Sequence, residues 1–303
     1  MRKAGDVMDR PEKTEQHRER PSDGSADGQQ DEKSKQSSHD EEVENRRSPS
    51  GSIVYKAICK EGLDELKRPS SALWWSGVAA GLSMGFSLVA EGLLKAHLPE
   101  ATWATLISKL GYSMGFLIVV LGRQQLFTEN TLTVILPWLT DRSWDKFWNI
   151  TRLWIVVFIA NIIGTAAFAA VVSHSSTFDA ETRAAFAALG HHAMLHGFGT
   201  VLLRGIFGGW LIALMVWLLP FAESFRVLVI ILLTYLVGLG DFSHVIAGAV
   251  ETLYTVMIGE KSFAIWLIGF LLPALLGNII GGVTLVAVLN HAQVMAGGGG
   301  EDI

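Results

Sequence analysis

The stretch GYSMGFLIVVLGRQQLFTENTLTVILPWLT, residues 111–140, decides the fold. Residues 111–122 are apolar enough to enter a bilayer. Arg123-Gln124-Gln125-Leu126-Phe127-Thr128-Glu129-Asn130-Thr131 then intervenes, and apolar residues resume over 132–139 around Pro137. So many polar side chains cannot face lipid at membrane depth, where each polar group needs a partner in the protein or a water-filled path. The apolar piece after the interruption is too short to cross alone. The stretch therefore reads as one membrane helix broken in its middle. Residues 226–258 repeat the pattern: 227–237 are apolar, Gly238-Leu239-Gly240-Asp241-Phe242-Ser243-His244 intervenes, and 245–257 continue.

Outward from these two breaks, further apolar spans fall at 72–94, 150–173, 201–220 and 263–289, with the broken ones at 104–124 and 226–258. At ~1.5 Å per helical residue each reaches across a hydrocarbon layer of roughly 30 Å. The expectation is an all-α polytopic membrane protein with six crossings, the second and fifth broken. Breaks at matching places in two halves point to an inverted repeat with its site near the midplane. Residues 176–199 carry Asp179, Glu181, Arg183 and three histidines, so they read as an interfacial or re-entrant element. Six crossings put both ends on one side. Lys60, Lys67, Arg68, Arg142, Lys146, Arg152 and Arg226 gather there, against Lys95, Arg183 and Lys261 opposite, which predicts cytoplasmic termini. Gly77, Gly81 and Gly85, and Gly277, Gly281 and Gly282, form ridges that let helix backbones touch. Asn278 among them reads as a structural bond to a neighbouring helix or to a broken backbone.

Composition agrees. The chain has 303 residues, 50% hydrophobic and 17% charged, with net charge −5. Residues 1–50 hold 10 of its Lys/Arg and 13 of its Asp/Glu, leaving the rest about 12% charged, half the soluble norm of about 25%. A soluble enzyme and a nucleic-acid binder are both disfavoured. Residues 1–50 read as a disordered charged cytoplasmic tail, 51–71 as an amphipathic interfacial helix, 72–291 as the transmembrane domain and 292–303 as a flexible tail. The apolar positions of the interfacial helix are Ile53, Val54, Ala57, Ile58, Leu63 and Leu66. The lone Cys59 forms no intrachain disulfide and no cysteine-based metal site, and no GxSxG, HExxH or Walker A motif is present. No cofactor, metal or enzymatic activity is expected.

Four motifs together resemble the formate/nitrite transporter family over roughly residues 55–290. They are Leu126-Phe127-Thr128 at the first break, Tyr112-Ser113-Met114-Gly115 before it, His244-Val245-Ile246-Ala247 at the second break, and Leu272-Pro273 with Gly277-Asn278-Ile279-Ile280-Gly281-Gly282 in the last helix. The resemblance implies an aquaporin-like protomer, a homopentamer in the bacterial inner membrane, one pore per subunit, and small monovalent weak-acid anions as cargo. By the same resemblance Thr128 and His244 are pore residues, and Leu126, Phe127, Tyr112 and Phe116 form apolar constrictions. The family's lysine at the outer approach has no counterpart, and His191, His192 or His196 stand in that neighbourhood. The family's asparagines in the fourth helix and after the pore histidine fall on Gly209 and Gly248. Arg204, Arg123 and Glu129 are additions.

An anion crosses an apolar constriction only at a large desolvation cost, whereas its neutral acid crosses readily. A histidine, with an ordinary pKa near 6.5, suits the proton exchange. Hence His244 is expected to donate a hydrogen bond or proton to the anion, with Thr128 orienting it. Arg204 is read either as a source of positive potential or as an interfacial cation. Glu129 is expected to pair with Arg123; left unpaired, it favours a proton-coupled or neutral-solute route. Asp241 lies beside the second break, and Glu251 is read as supporting the pore or touching another subunit. A channel for neutral solutes, and a non-transporting sensor or scaffold, stay open as alternatives.

Overall fold

The long apolar runs fold into helices, and the two polar interruptions are where those helices stop. The computed structural model describes residues 50–297. Among these residues the helices are α1 Gly51–Lys67, α2 Ser70–His97, α3 Thr102–Leu121, α4 (130–140), α5 Trp144–His174, α6 Ala180–Ala193, α7 Phe198–Leu218, α8 Arg226–Leu239, α9 Ala247–Met257 and α10 Phe263–Ala296. α2, α3, α5, α7 and α10 are each long and apolar enough to cross a bilayer. α4 continues α3 past the first break and α9 continues α8 past the second, so six crossings result, the second and fifth broken. Trp75, Ile155, Leu203, Leu232 and Ile268 are more than half exposed on the outside of the bundle, as a lipid-facing surface requires.

Two buried asparagines hold the breaks. Asn161 of α5 accepts the Phe127 N–H (2.9 Å) and donates to the Gln125 and Gly77 carbonyls (2.9 and 2.8 Å). Asn278 of α10 accepts the Val245 N–H and donates to the Ser243 and Gly205 carbonyls, all at 2.8 Å. The partners correspond one for one: a residue of the break, the residue two before it, and a glycine of α2 or α7. The likeness extends to backbone angles, since Arg123 and Asp241 each enter their break at φ 49°. The inverted repeat is thus visible in its hydrogen bonds. Asn278 bonds both the broken backbone and a neighbouring helix, and Asn161 is its twin, which the sequence reading did not single out.

The glycine ridges bring the helices close enough for these amides to reach. Gly77 and Gly81 of α2 face Ala160, Asn161 and Gly164 of α5, and Gly205 and Gly209 of α7 face Gly277 and Asn278 of α10. A Cβ at Gly209 would stand 2.5 Å from the Asn278 Cα. Interlocking of this kind replaces the apolar driving force that lipid cannot supply between helices.

α1 lies at the end of the bundle that carries both ends of the described chain, here the terminal face. Its buried residues Tyr55, Ile58, Cys59, Gly62 and Leu66 recur at helical spacing. Ile53 and Leu63 stay exposed, so the apolar positions divide between protein and surroundings. Tyr55 Oη bonds His291 Nδ1 of α10 at 2.7 Å and Thr140 Oγ1 of α4 at 2.8 Å. Arg152 of α5 donates to the Leu66 and Arg68 carbonyls (2.9 and 3.2 Å). α6, from the segment expected to be interfacial or re-entrant, packs at the opposite, distal end on α2 and α9, with Phe186 against Gly92 and Gly190 against Glu251. Asp179 caps α6 by accepting the Thr182 N–H at 2.7 Å, which holds its carboxyl below the usual range. α10 stays helical to Ala296, so residues 292–296, expected within a flexible tail, are helical. Residues 1–49 and 298–303, which contain the rest of the two expected tails, lie outside the described residues.

Removing either amide leaves an N–H and a C=O of the break unpaired and takes a third hydrogen bond from the glycine-bearing helix. Asn161→Ala and Asn278→Ala should each cost on the order of 2 kcal/mol or more, read as a lowered melting temperature and lost assembled protein in detergent. Burial also pushes the Cys59 thiol up to about 11. Because the thiolate is the nucleophile and a raised pKa keeps the thiol protonated until higher pH, alkylation at pH 8 should be slow in the folded protein and fast once it is denatured.

Candidate functional site

The two breaks meet at the centre of the bundle. Thr128, from the first, and His244, from the second, are both buried, with Thr128 Oγ1 2.7 Å from His244 Nε2. The Ala247 backbone N–H lies 3.0 Å from His244 Nδ1. An amide N–H can only donate, so Nδ1 accepts. The proton of the neutral ring is then on Nε2, aimed at Thr128 Oγ1, and the Thr128 hydroxyl hydrogen is left for a further acceptor.

Apolar groups seal the level of this pair. Phe116 is wholly buried, with its ring 4.9 Å from the His244 ring and 5.5 Å from that of Tyr112. Leu126 is buried at the same break. Phe127 points another way, packing on Trp154 and Phe158 of α5 at 5.7 and 5.1 Å. Its ring therefore backs the break, while its N–H is the one clamped by Asn161. The sequence reading grouped Leu126, Phe127, Tyr112 and Phe116 as constrictions; the geometry brings Phe116 and Tyr112 to the histidine.

A polar cavity opens on each side. The distal one, ≈ 40 Å³, is bordered by Tyr112, His192, His196, Arg204, Asp241 and Glu251, and reaches His244. It also contains Lys109 of α3, which the sequence reading did not single out. Lys109 Nζ lies 2.8 Å from Glu91 Oε1 and 3.5 Å from Asp241 Oδ1, and Asp241 Oδ2 accepts from or pairs with His192 Nε2 at 3.0 Å. The sequence reading found no lysine for this approach, with histidines in that neighbourhood and Arg204 as a candidate source of positive potential; Lys109 of α3 borders the cavity together with them. His192 and His196 do border the cavity, while His191 pairs with Glu260. Arg204 sits on the cavity wall, and Glu251 faces the same space rather than the outside of the protomer.

On the terminal side a cavity of ≈ 690 Å³ is bordered by Glu61, Glu65, Arg68, Arg123, Gln125 and Glu129, among others. The expected Glu129–Arg123 pair does not form. Arg123 is exposed on its left-handed turn, and Glu129 lies within ion-pair distance of no Lys or Arg among the described residues. Two further positions are explained by packing. Gly209 accommodates the Asn278 backbone, and Gly248 accommodates the Phe270 ring. Gly277 and Gly281 lie against α7 and Gly282 against Thr131, so these three serve helix contact. No group of three or more metal-ligating side chains occurs among the described residues.

The family described as formate/nitrite transporter matches residues 52–292. "Inner membrane protein YfdC" of Escherichia coli (strain K12) is 41% identical over 254 residues, 84% of this chain and 82% of its own length. Two solved structures share the fold. A "pentameric formate channel with formate bound" has a TM-score of 0.66 at 20% identity, covering 75% of this chain and 98% of its own. An "FNT family ion channel" has a TM-score of 0.70 at 16% identity, covering 80% and 98%.

Glu91 is 1% exposed, so its charge depends on Lys109. Lys109→Met should destabilise the protein by about 3–5 kcal/mol, as expected when one partner of a buried ion pair is removed. Adding Glu91→Gln should restore most of the loss, a comparison made by thermal unfolding in detergent.

Proposed function

The chain belongs to the formate/nitrite transporter family, and on that premise we propose that it is a channel for small monovalent anions of weak acids, formate and nitrite among them, with proton exchange at the His244–Thr128 pair. The observation that carries this reading is the 2.7 Å contact between Thr128 and His244, which places one free hydroxyl donor where two polar cavities approach each other across buried aromatic rings. An anion arriving there loses its water. A hydroxyl donor offsets part of that loss, and the N-terminal end of α9 adds the positive end of a helix dipole. On the distal side Arg204 offers a cation to an entering anion, while Lys109 offsets the charges of Glu91 and Asp241. Proton exchange at the ring requires a second proton on Nδ1, hence a state in which the Ala247 bond is open.

The same reading assigns a homopentamer with one pore per subunit, a bacterial inner membrane and cytoplasmic termini. It places small anions and protons as the partners within a lipid bilayer. These assignments draw on the pentamer named among the related structures, the membrane location in the relative's name, and the Lys/Arg bias of the terminal face. A second reading, a channel for small neutral solutes, is favoured by one observation: both cavities are bordered by carboxylates, Asp241 and Glu251 on one side and Glu61, Asp64, Glu65 and Glu129 on the other.

Flux into liposomes containing the full chain separates these. Formate and nitrite should enter faster than glycerol or urea, and faster as pH falls. Thr128→Val should slow formate at least tenfold, about 1.4 kcal/mol, and His244→Asn should flatten the pH dependence. Swelling as fast in glycerol as in formate supports the neutral-solute reading. Unchanged formate flux in both variants removes the role given to the pair.

A further inference from the structure

Glu129 follows Thr128 directly in the chain and forms part of the wall of the terminal cavity. Its Oε1 is buried and has no hydrogen-bond partner. The charged groups facing it from the packed elements are already engaged or stand apart. On α1, Glu65 is held by Arg68 at 3.0 Å and by Gln125 Nε2 at 2.8 Å, and Asp64 by Lys67 at 3.2 Å. Glu61 adds a like charge, while Lys60, Arg123 and Arg226 border the same cavity and make no ion pair with Glu129. Glu91, the most deeply buried acid of the other side, is held by Lys109 at 2.8 Å. Glu129, one residue past Thr128 and bordering a cavity with room for water, has no such cation.

A buried carboxylate without a counter-charge is costly, and a carboxylic acid is much less so. A group in that position can take a proton from what leaves the constriction and pass it to the cavity. We propose that Glu129 is the proton-exchange carboxyl at the terminal mouth of the pore. In transit toward that face, the O–H bond of the weak acid breaks as a Glu129 oxygen takes its proton. The anion leaves into the cavity, and the Glu129 O–H then breaks in turn, giving its proton to cavity water as hydronium. The reverse sequence loads a proton onto an anion entering from that face. This rests on the channel reading, since it needs a weak acid crossing the His244–Thr128 level, and it adds where the proton leaves.

Full-length protein in liposomes with an internal pH dye and labelled formate tests this. Wild-type protein should carry one proton with each formate. Glu129→Gln should lower formate flux at least tenfold at pH 7.5 and move the pH at half-maximal flux downward, and Glu129→Asp should restore much of both. Absence of formate flux in the wild type would sink the channel reading itself. Wild-type flux accompanied by an unaltered rate, pH profile and proton count in Glu129→Gln overturns the role of Glu129 alone. Should the glutamine variant not assemble, the wild type still decides: dicyclohexylcarbodiimide, which attacks protonated carboxyls in apolar sites, should label Glu129 and block formate flux, and unlabelled Glu129 overturns the proposal.

Discussion

Six hydrogen bonds from two side-chain amides make the rest of this protein possible. In the hydrocarbon layer a helix cannot stop without leaving N–H and C=O groups unpaired, at a cost of several kcal/mol each. Asn161 and Asn278 offer what an unwound turn lacks, one acceptor and two donors on a short, fixed arm. Each spends them alike, on an N–H and a carbonyl of the break and on a carbonyl of the glycine-bearing helix opposite. Because the amide ties three segments at once, each break is fixed in space as well as satisfied. Thr128 and His244 can then meet at hydrogen-bond distance although 116 residues separate them.

The amides in turn need helices that nearly touch. Gly77 and Gly81 against α5, and Gly205 and Gly209 against α7's partner α10, provide the approach. In water such a surface would be a poor one, since glycine buries nothing. In lipid it is a good one, since backbone contact and interhelical hydrogen bonds are what remain to hold helices together. Sequence features that look unrelated, a glycine ridge and an isolated asparagine, are two halves of one device.

That interdependence sets what could be read from the sequence. The broken spans were legible because polar residues interrupt apolar runs, a contrast within one segment. His244 and Thr128 were legible through the motifs around them, and Asn278 through the glycines beside it. Asn161 was not, because a single amide in α5 leaves no trace of the three groups it serves on other segments. Lys109 and Glu91 escaped for the same reason: each looks like an ordinary charge near a helix end until α2 and α3 pack side by side and bring them to 2.8 Å. The Glu129–Arg123 pairing failed from the opposite error, trusting nearness in sequence. Arg123 sits on a left-handed turn with φ 49° and is exposed, so although it and Glu129 border the same cavity, no ion pair forms between them.

An inverted repeat with identical clamps would, by itself, make both halves of the pore alike. The departures from likeness are therefore where chemistry has been added. Counting from the clamped residues Phe127 and Val245, Leu126 corresponds to His244, Arg123 to Asp241, and Glu129 to Ala247. At the centre, one half supplies an apolar stopper and the other a titratable ring. Toward the distal face the added acid, Asp241, is held by Lys109 and His192; toward the terminal face the added acid, Glu129, is left without a partner. The backbone symmetry positions both breaks equally, and the side chains make the two approaches unlike: a lysine held between two carboxylates on one side, a hydrogen-bonded pair at the middle, and a carboxyl without an ion-pair partner on the other.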